Sequence, residues 1–180
     1  GAQAVPPLAA AFADSDVTAG VDLPSTLSLS LFHQLNDAWA VLADFTRTGW
    51  SSYDKLEIEF DNVYKSPSVE ENDWKNNNRY SVGVSFTPGS QWTYRAGVAY
   101  DETAVRNAEL RSARIPGNDR TWIALGLGYK VSNRLAVDIG YAHLFVKDAD
   151  IDRTGATGDL LKGSYESSVD ILSGQVVWSL

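Results

Sequence analysis

From about residue 27 onward, apolar positions alternate with small or polar ones at a period of two, the signature of strands whose two faces see different surroundings. The clearest run is Tyr80-Ser81-Val82-Gly83-Val84-Ser85-Phe86-Thr87, with apolar or aromatic residues at even positions and small or polar residues at odd ones. Trp92, Tyr94, Ala96, Val98 and Tyr100 repeat it against Thr93, Arg95, Gly97, Ala99 and Asp101. The pattern returns with Ile123, Leu125, Leu127 and Tyr129, then with Leu135, Val137, Ile139 and Tyr141, and last with Leu172, Gly174, Val176, Trp178 and Leu180. Two weaker segments precede these, Leu27 to Leu31 and Trp39 to Thr46. Together they predict seven strands.

The connections carry as much information as the strands. Asn36-Asp37, Pro88-Gly89-Ser90 and Ser132-Asn133 are built from residues that accept tight turns. The other three connections, roughly 50–78, 102–119 and 148–164, are long and polar. Short and long alternate strictly, which nothing in a soluble barrel requires and which an outer-membrane barrel shows as short periplasmic turns and long outer loops. With the end of the chain periplasmic, each tight turn falls on the periplasmic side and each long loop outside. The expected fold is therefore all-β, a transmembrane antiparallel up-and-down β-barrel of which about seven strands are present as part of a larger barrel. Residues 1–20 are expected as an extension or loop, and residues 21–180 as the barrel segment.

Aromatic placement sharpens the membrane reading. On the apolar face, Trp39, Phe86, Trp92, Tyr129 and Trp178 lie toward the short turns, and Phe45, Tyr80, Tyr100 and Tyr141 toward the long loops. Two such bands suit the headgroup layers on either side of a bilayer. Trp92 and Tyr100 are eight strand steps apart, which at ~3.3 Å each and a tilt of ~40° gives roughly 20 Å of height, near the ~25 Å apolar band of such barrels. A soluble barrel or sandwich explains the alternation but not the bands.

Composition mainly excludes. The chain has 180 residues, 44% hydrophobic and 21% charged, too polar for a helical membrane protein, and no run approaches the ~20 apolar residues of a spanning helix. A net charge of −8 with no clustered basic run argues against nucleic-acid binding. The absence of Cys rules out disulfides and Cys-based zinc sites. The start, Gly1-Ala2-Gln3-Ala4-Val5-Pro6-Pro7, has neither an initiator Met nor a signal peptide, so the chain reads as processed, cut or part of a longer one. His33 and His143 stand far apart, without the spacing of a metal site or of a catalytic base with its nucleophile. Asp148, Asp150, Asp152 and Asp159 lack the regular spacing and closing Glu of a calcium loop and are expected as a solvated acidic loop. No metal, cofactor or enzymatic activity is expected.

Residues 115–129, Ile115-Pro116-Gly117-Asn118-Asp119-Arg120-Thr121-Trp122-Ile123-Ala124-Leu125-Gly126-Leu127-Gly128-Tyr129, resemble the FadL family of outer-membrane long-chain fatty acid transporters through the core Ile-Pro-x-x-Asp-Arg-x-Trp. Asp37-Ala38-Trp39-Ala40 followed by Thr48-Gly49-Trp50-Ser51-Ser52-Tyr53, the strand Trp92 to Asp101, and Leu23-Pro24 are similar to flanking segments of that family. The likeness runs from about residue 20 to Leu180 and matches the family's C-terminal half. It departs in having half the strands, no N-terminal hatch and no early kinked strand, and in ending on Leu180 rather than an aromatic.

The resemblance implies a place in the outer membrane of a Gram-negative bacterium and passive uptake of long-chain fatty acids or other hydrophobic compounds, with no chemistry done on the ligand. Outer-membrane lipid and lipopolysaccharide, hydrophobic small molecules, and a second chain or fragment completing the barrel are the expected partners. The rivals are a structural or adhesive barrel without transport, an outer-membrane acyl hydrolase, and a soluble lipid carrier. Arg95, Arg120, Trp122 and Asp138 are the candidate ligand-binding residues in the lumen or at its mouth. For Asp119-Arg120 the plainer expectation is an ion pair with each other that stabilises the turn, and for Arg95 an ion pair with Asp44 or Asp138. Arg106, Arg111 and Arg114 are expected in a solvated outer loop.

Overall fold

The computed structural model describes residues 13–89, 91–155 and 158–179. Its strands are β1 (Val17–Gly20), β2 (Thr26–Gln34), β3 (Trp39–Thr48), β4 (Lys55–Phe60), β5 (Ser68–Glu71), β6 (Asn77–Phe86), β7 (Trp92–Asp101), β8 (Arg120–Lys130), β9 (Leu135–Val146), β10 (Ala149–Thr154), β11 (Leu160–Tyr165) and β12 (Ser168–Trp178). Seven of them form one antiparallel sheet in the order β12-β9-β8-β7-β6-β3-β2. These are the seven strands the alternation predicts, joined as neighbours by the short turns and long loops. Among the described residues β2 and β12 are the open edges of that sheet.

Register decides which side chains share a face. Phe45 stands opposite Tyr80, and Tyr80 opposite Tyr100; Val41 faces Val84, Val84 faces Ala96, and Ala96 faces Leu125. Leu125 faces Tyr141, and Tyr141 faces Leu172. The apolar positions of these rows therefore fall on one side of the wall, and Ser81, Gly83, Arg95, Gly97, Gly126 and Asp138 fall on the other, where Leu42, Trp122 and Leu144 also lie. The apolar side is bare. Leu31 is 63% exposed, Leu125 58% and Leu172 79%, and no large side chain is fully buried among the described residues. A soluble sandwich would cover this face; a wall that meets hydrocarbon leaves it open.

The aromatic bands appear as stacked pairs. At the short-turn end Trp39 lies 4.3 Å from Phe86 and Trp92 lies 4.4 Å from Tyr129, centroid to centroid; at the long-loop end Phe45 lies 5.3 Å from Tyr80. The short-turn row slips as it crosses the sheet. The register row of Trp39 and Phe86 reaches β12 at Gly174, whereas the band itself reaches β12 at Trp178. That slip is about 13 Å along the strand over about 24 Å of sheet, a tilt of roughly 30° if the band is level. It approaches the 35–45° typical of outer-membrane barrels.

The long connections are more structured than their polarity suggests. β4 and β5 form a hairpin that β1 joins by pairing Val17 with Phe60. β10 and β11 form a second hairpin between β9 and β12. The signal was present in Lys55-Leu56-Glu57-Ile58-Glu59-Phe60, which alternates charged and apolar residues. Ala149 and Ile151, on β10, are among the few buried apolar residues.

The two faces should respond oppositely to charge. Leu125→Arg, on the apolar face at mid-height, is expected to destabilise the intact barrel by about 2–4 kcal/mol, whereas Ser81→Arg on the opposite face costs under about 1 kcal/mol. Reversible urea unfolding in lipid vesicles measures both; equal costs would mean that the face assignment is wrong.

Candidate lumenal site and the outer mouth

The polar face of β6 to β9 is built mostly from small residues, and most of its charged side chains are paired across strands. Arg95, on β7, reaches over the whole of β8 to place Nη1 2.7 Å from Asp138 Oδ1 on β9. The crossing depends on the two residues beneath it. A Cβ on Gly128 would sit 2.6 Å from Asp138 Oδ1 and 3.2 Å from Arg95 Nη1, and one on Gly126 would sit 3.3 Å from Arg95 Cβ. Only glycine leaves room for a guanidinium to lie flat on the wall. Of the two partners the sequence offered for Arg95, Asp138 is the one it takes. Asp44 instead accepts hydrogen bonds from Ser30 Oγ at 2.6 Å and Thr46 Oγ1 at 3.1 Å.

A second cluster stands at the long-loop end. Arg120 Nη2 lies 2.5 Å from Asp101 Oδ2 on the neighbouring strand. The expected pairing of Asp119 with Arg120 does not occur. Successive residues at a strand start point to opposite sides, and Asp119 accepts instead from Tyr100 Oη at 3.0 Å and the Thr103 backbone N–H at 2.8 Å. The Trp122 ring carries the Arg79 guanidinium 4.9 Å above its centroid, and Trp122 Nε1 is buried without an acceptor among the described residues. The four sequence candidates thus form two groups, Arg95 with Asp138 and Arg120 with Trp122. Their rows on β7, at Arg95 and Asp101, are about 20 Å apart along the strand. Arg79 and Asp101 were not singled out from the sequence, although both fall on the polar phase of their strands.

Comparison with known proteins places this wall. The family model described as "Outer membrane protein transport protein (OMPP1/FadL/TodX)" matches residues 1–179. The chain belongs to that family. It is 42% identical over 137 residues to outer membrane protein P1 of Haemophilus influenzae, an alignment covering 76% of this chain and 29% of the relative. It is 25% identical over 135 residues to the long-chain fatty acid transport protein of Escherichia coli K12, covering 73% and 29%. Among solved structures, a FadL homologue of Pseudomonas aeruginosa superposes with a TM-score of 0.83 at 32% identity, over 90% of this chain and 37% of that one. The Pseudomonas putida toluene transporter TodX superposes at 0.61 and 17% identity, over 90% and 36%, a likeness of fold. The chain therefore spans about a third of the length of its relatives, and its open seven-stranded sheet is a segment of a larger outer-membrane barrel.

The long loops at this end of the sheet are tied together by hydrogen bonds and ion pairs, several of them at exposed side chains. The expectation of a solvated loop for Arg106, Arg111 and Arg114 is corrected for Arg111, while Arg106 and Arg114 stay exposed. Arg111 is 5% exposed, with Nε 2.7 Å from the Asp150 carbonyl and Nη1 donating to the Gly117 carbonyl. Burial pushes its pKa down, opposed by the nearby charges of Asp150 and Asp119, and the guanidinium remains charged. Arg106 Nε donates to the Asp73 carbonyl at 2.7 Å. Glu70, on β5, takes Arg114 at 2.8 Å and Arg153, on β10, at 3.6 Å, so three loops converge on one carboxylate. The acidic loop is likewise engaged, with Asp152 held 2.7 Å from Lys162 across the β10–β11 hairpin. His143 is not isolated either. It lies 2.7 Å from Asp170, which also accepts from Tyr141 Oη at 2.6 Å.

Gly128→Ala should break the Arg95–Asp138 pair without touching either partner. In a double-mutant cycle the Arg95–Asp138 coupling is expected at about 0.5–1 kcal/mol in the wild-type background, as for a partly exposed pair, and near zero in Gly128→Ala. An unchanged coupling would show that the glycine is not what permits the contact. Arg111→Lys, which keeps charge but loses the fork that spans two carbonyls, should raise hydrogen exchange in 102–119 and 147–167 about tenfold while the wall strands stay protected. Unaltered loop exchange would refute the tie.

Proposed function

We propose that this chain forms part of the wall of an outer-membrane channel for passive uptake of hydrophobic compounds, long-chain fatty acids foremost. The observation that carries this is what lies between the two charged clusters. From the Asp101 row down to the Arg95 row, the inner face of β6, β7 and β8 presents Ser81, Gly83, Gly97, Ala99, Ala124 and Gly126, interrupted only by Trp122 at the top. At one end Arg95 pairs with Asp138, and at the other Arg120 pairs with Asp101. A long apolar chain moving along the strip below Trp122 meets neither a bulky side chain nor an ion whose water it would have to strip, which would cost several kcal/mol.

The roles follow from place. Arg120 and Trp122 line the mouth and offer a polar contact and an aromatic surface to an arriving headgroup. Arg95 and Asp138 hold the lower wall and give a departing headgroup a second polar contact. Outer-membrane lipid and lipopolysaccharide cover the apolar face, whose grooves, such as the one between Leu29, Phe45, Tyr80 and Val98, open outward. In this reading the ligand passes unaltered. The names of relatives support two ligand classes, fatty acids and monoaromatic hydrocarbons.

Uptake of radiolabelled oleate and toluene by cells producing the intact protein, against cells lacking it, tests the reading. Saturable uptake of oleate is expected, with no gain in permeability to a small sugar. A protein that raises neither hydrophobic flux but still promotes attachment to surfaces would be a structural or adhesive barrel.

A further inference from the structure

We propose that Arg79 is the anion-recognising residue of the mouth, selecting amphiphiles with a carboxylate over neutral compounds of the same chain length; this rests on the uptake reading above. Arg79 lies on the inner face of β6, directly opposite Asp101 on β7 and Thr46 on β3. The carboxylates around it are engaged elsewhere. Asp101 Oδ2 takes Arg120 at 2.5 Å, and both oxygens of Asp44 take hydroxyls, Ser30 at 2.6 Å and Thr46 at 3.1 Å. Arg79 itself makes no ion pair among the described residues. Its guanidinium is held over the Trp122 ring at 4.9 Å.

A guanidinium seated over a ring face is held in place by the ring and keeps N–H donors for a further partner. Such donors take a carboxylate through two parallel hydrogen bonds. Trp122 Nε1 is itself buried and has no acceptor among the described residues. One spot thus holds an exposed cation seated on a ring, without an ion-pair partner among the described residues, at the rim of the smooth strip along which the apolar tail would run. Asp44 and Asp101 balance the charge of Arg79 and Arg120, so the mouth is not a general anion trap. Selection comes from the donors of Arg79.

The test uses dodecanoate and dodecanol, which share a tail and differ in charge, in equilibrium binding to the intact protein in phosphatidylcholine vesicles at pH 8. The wild-type protein should favour dodecanoate by about tenfold or more, as for a charge-assisted hydrogen bond. Arg79→Gln should bring the ratio close to one, and Arg79→Lys, with a charge but no fork, should fall between. The wild-type ratio keeps the test decisive should a variant fail to fold. Equal wild-type affinities, or a preference that survives in Arg79→Gln, would overturn the role of Arg79 and leave uptake of hydrophobic compounds standing. Wild-type protein that binds neither compound would remove the uptake reading and this proposal with it.

Discussion

The structure depends on one constraint, that a backbone crossing hydrocarbon finds no water to bond with. A helix meets it within itself; a strand meets it only through its neighbours. Seven strands therefore run side by side in unbroken antiparallel ladders, and each side chain's surroundings are fixed by the register of those ladders. The exposed aliphatic face, the stacked aromatic rows and the slip of those rows across the sheet are consequences of one tilted ladder meeting a level membrane. β2 and β12 carry the same requirement at the sheet's edges, which fits a segment of the larger barrel seen in its relatives.

The inner face obeys a second economy. Charges there are few and mostly matched within the wall, and the longest match needs space that small residues provide. Arg95 reaches Asp138 because β8 contributes Gly126 and Gly128 beneath it. Arg120 reaches Asp101 by standing beside it. Between them the wall is nearly featureless, which suits passage of an apolar chain. Outside the membrane, where water can satisfy the backbone, the chain is free to build differently. The loops form small sheets of their own and are fastened by arginines to backbone carbonyls and to Glu70.

Much of this was legible in the sequence, and the physics explains where legibility ended. Period-two alternation gives the face of each residue, so the seven wall strands, the two aromatic bands and the inward direction of Arg95 and Asp138 could all be read. It does not give lateral neighbours. Hence Asp119 and Arg120, adjacent in sequence, were expected together, although the strand turns them apart. Asp101, whose partner comes from the next strand, was not singled out. Arg79 was missed for the same reason, since its stack on Trp122 joins β6 to β8 across β7. In the loops, polarity suggested solvation, but polar loops can satisfy each other. Arg111 is buried by hydrogen bonds to carbonyls, which leave no mark in a hydropathy pattern. The strands β4 and β10 were short alternations embedded in charge and were absorbed into the long connections.

The central claim is that one face of this sheet meets lipid and the other lines the lumen. The chain has no cysteine, so single cysteines at successive positions 123 to 127 on β8 can carry a nitroxide label in the intact barrel reconstituted in vesicles. Collision with oxygen, which partitions into hydrocarbon, and with a water-soluble nickel chelate then reports each site's surroundings. The account predicts strict alternation, with positions 123, 125 and 127 open to oxygen and shielded from nickel, and positions 124 and 126 the reverse. Opposite phase, or the same collision profile at all five positions, would contradict it.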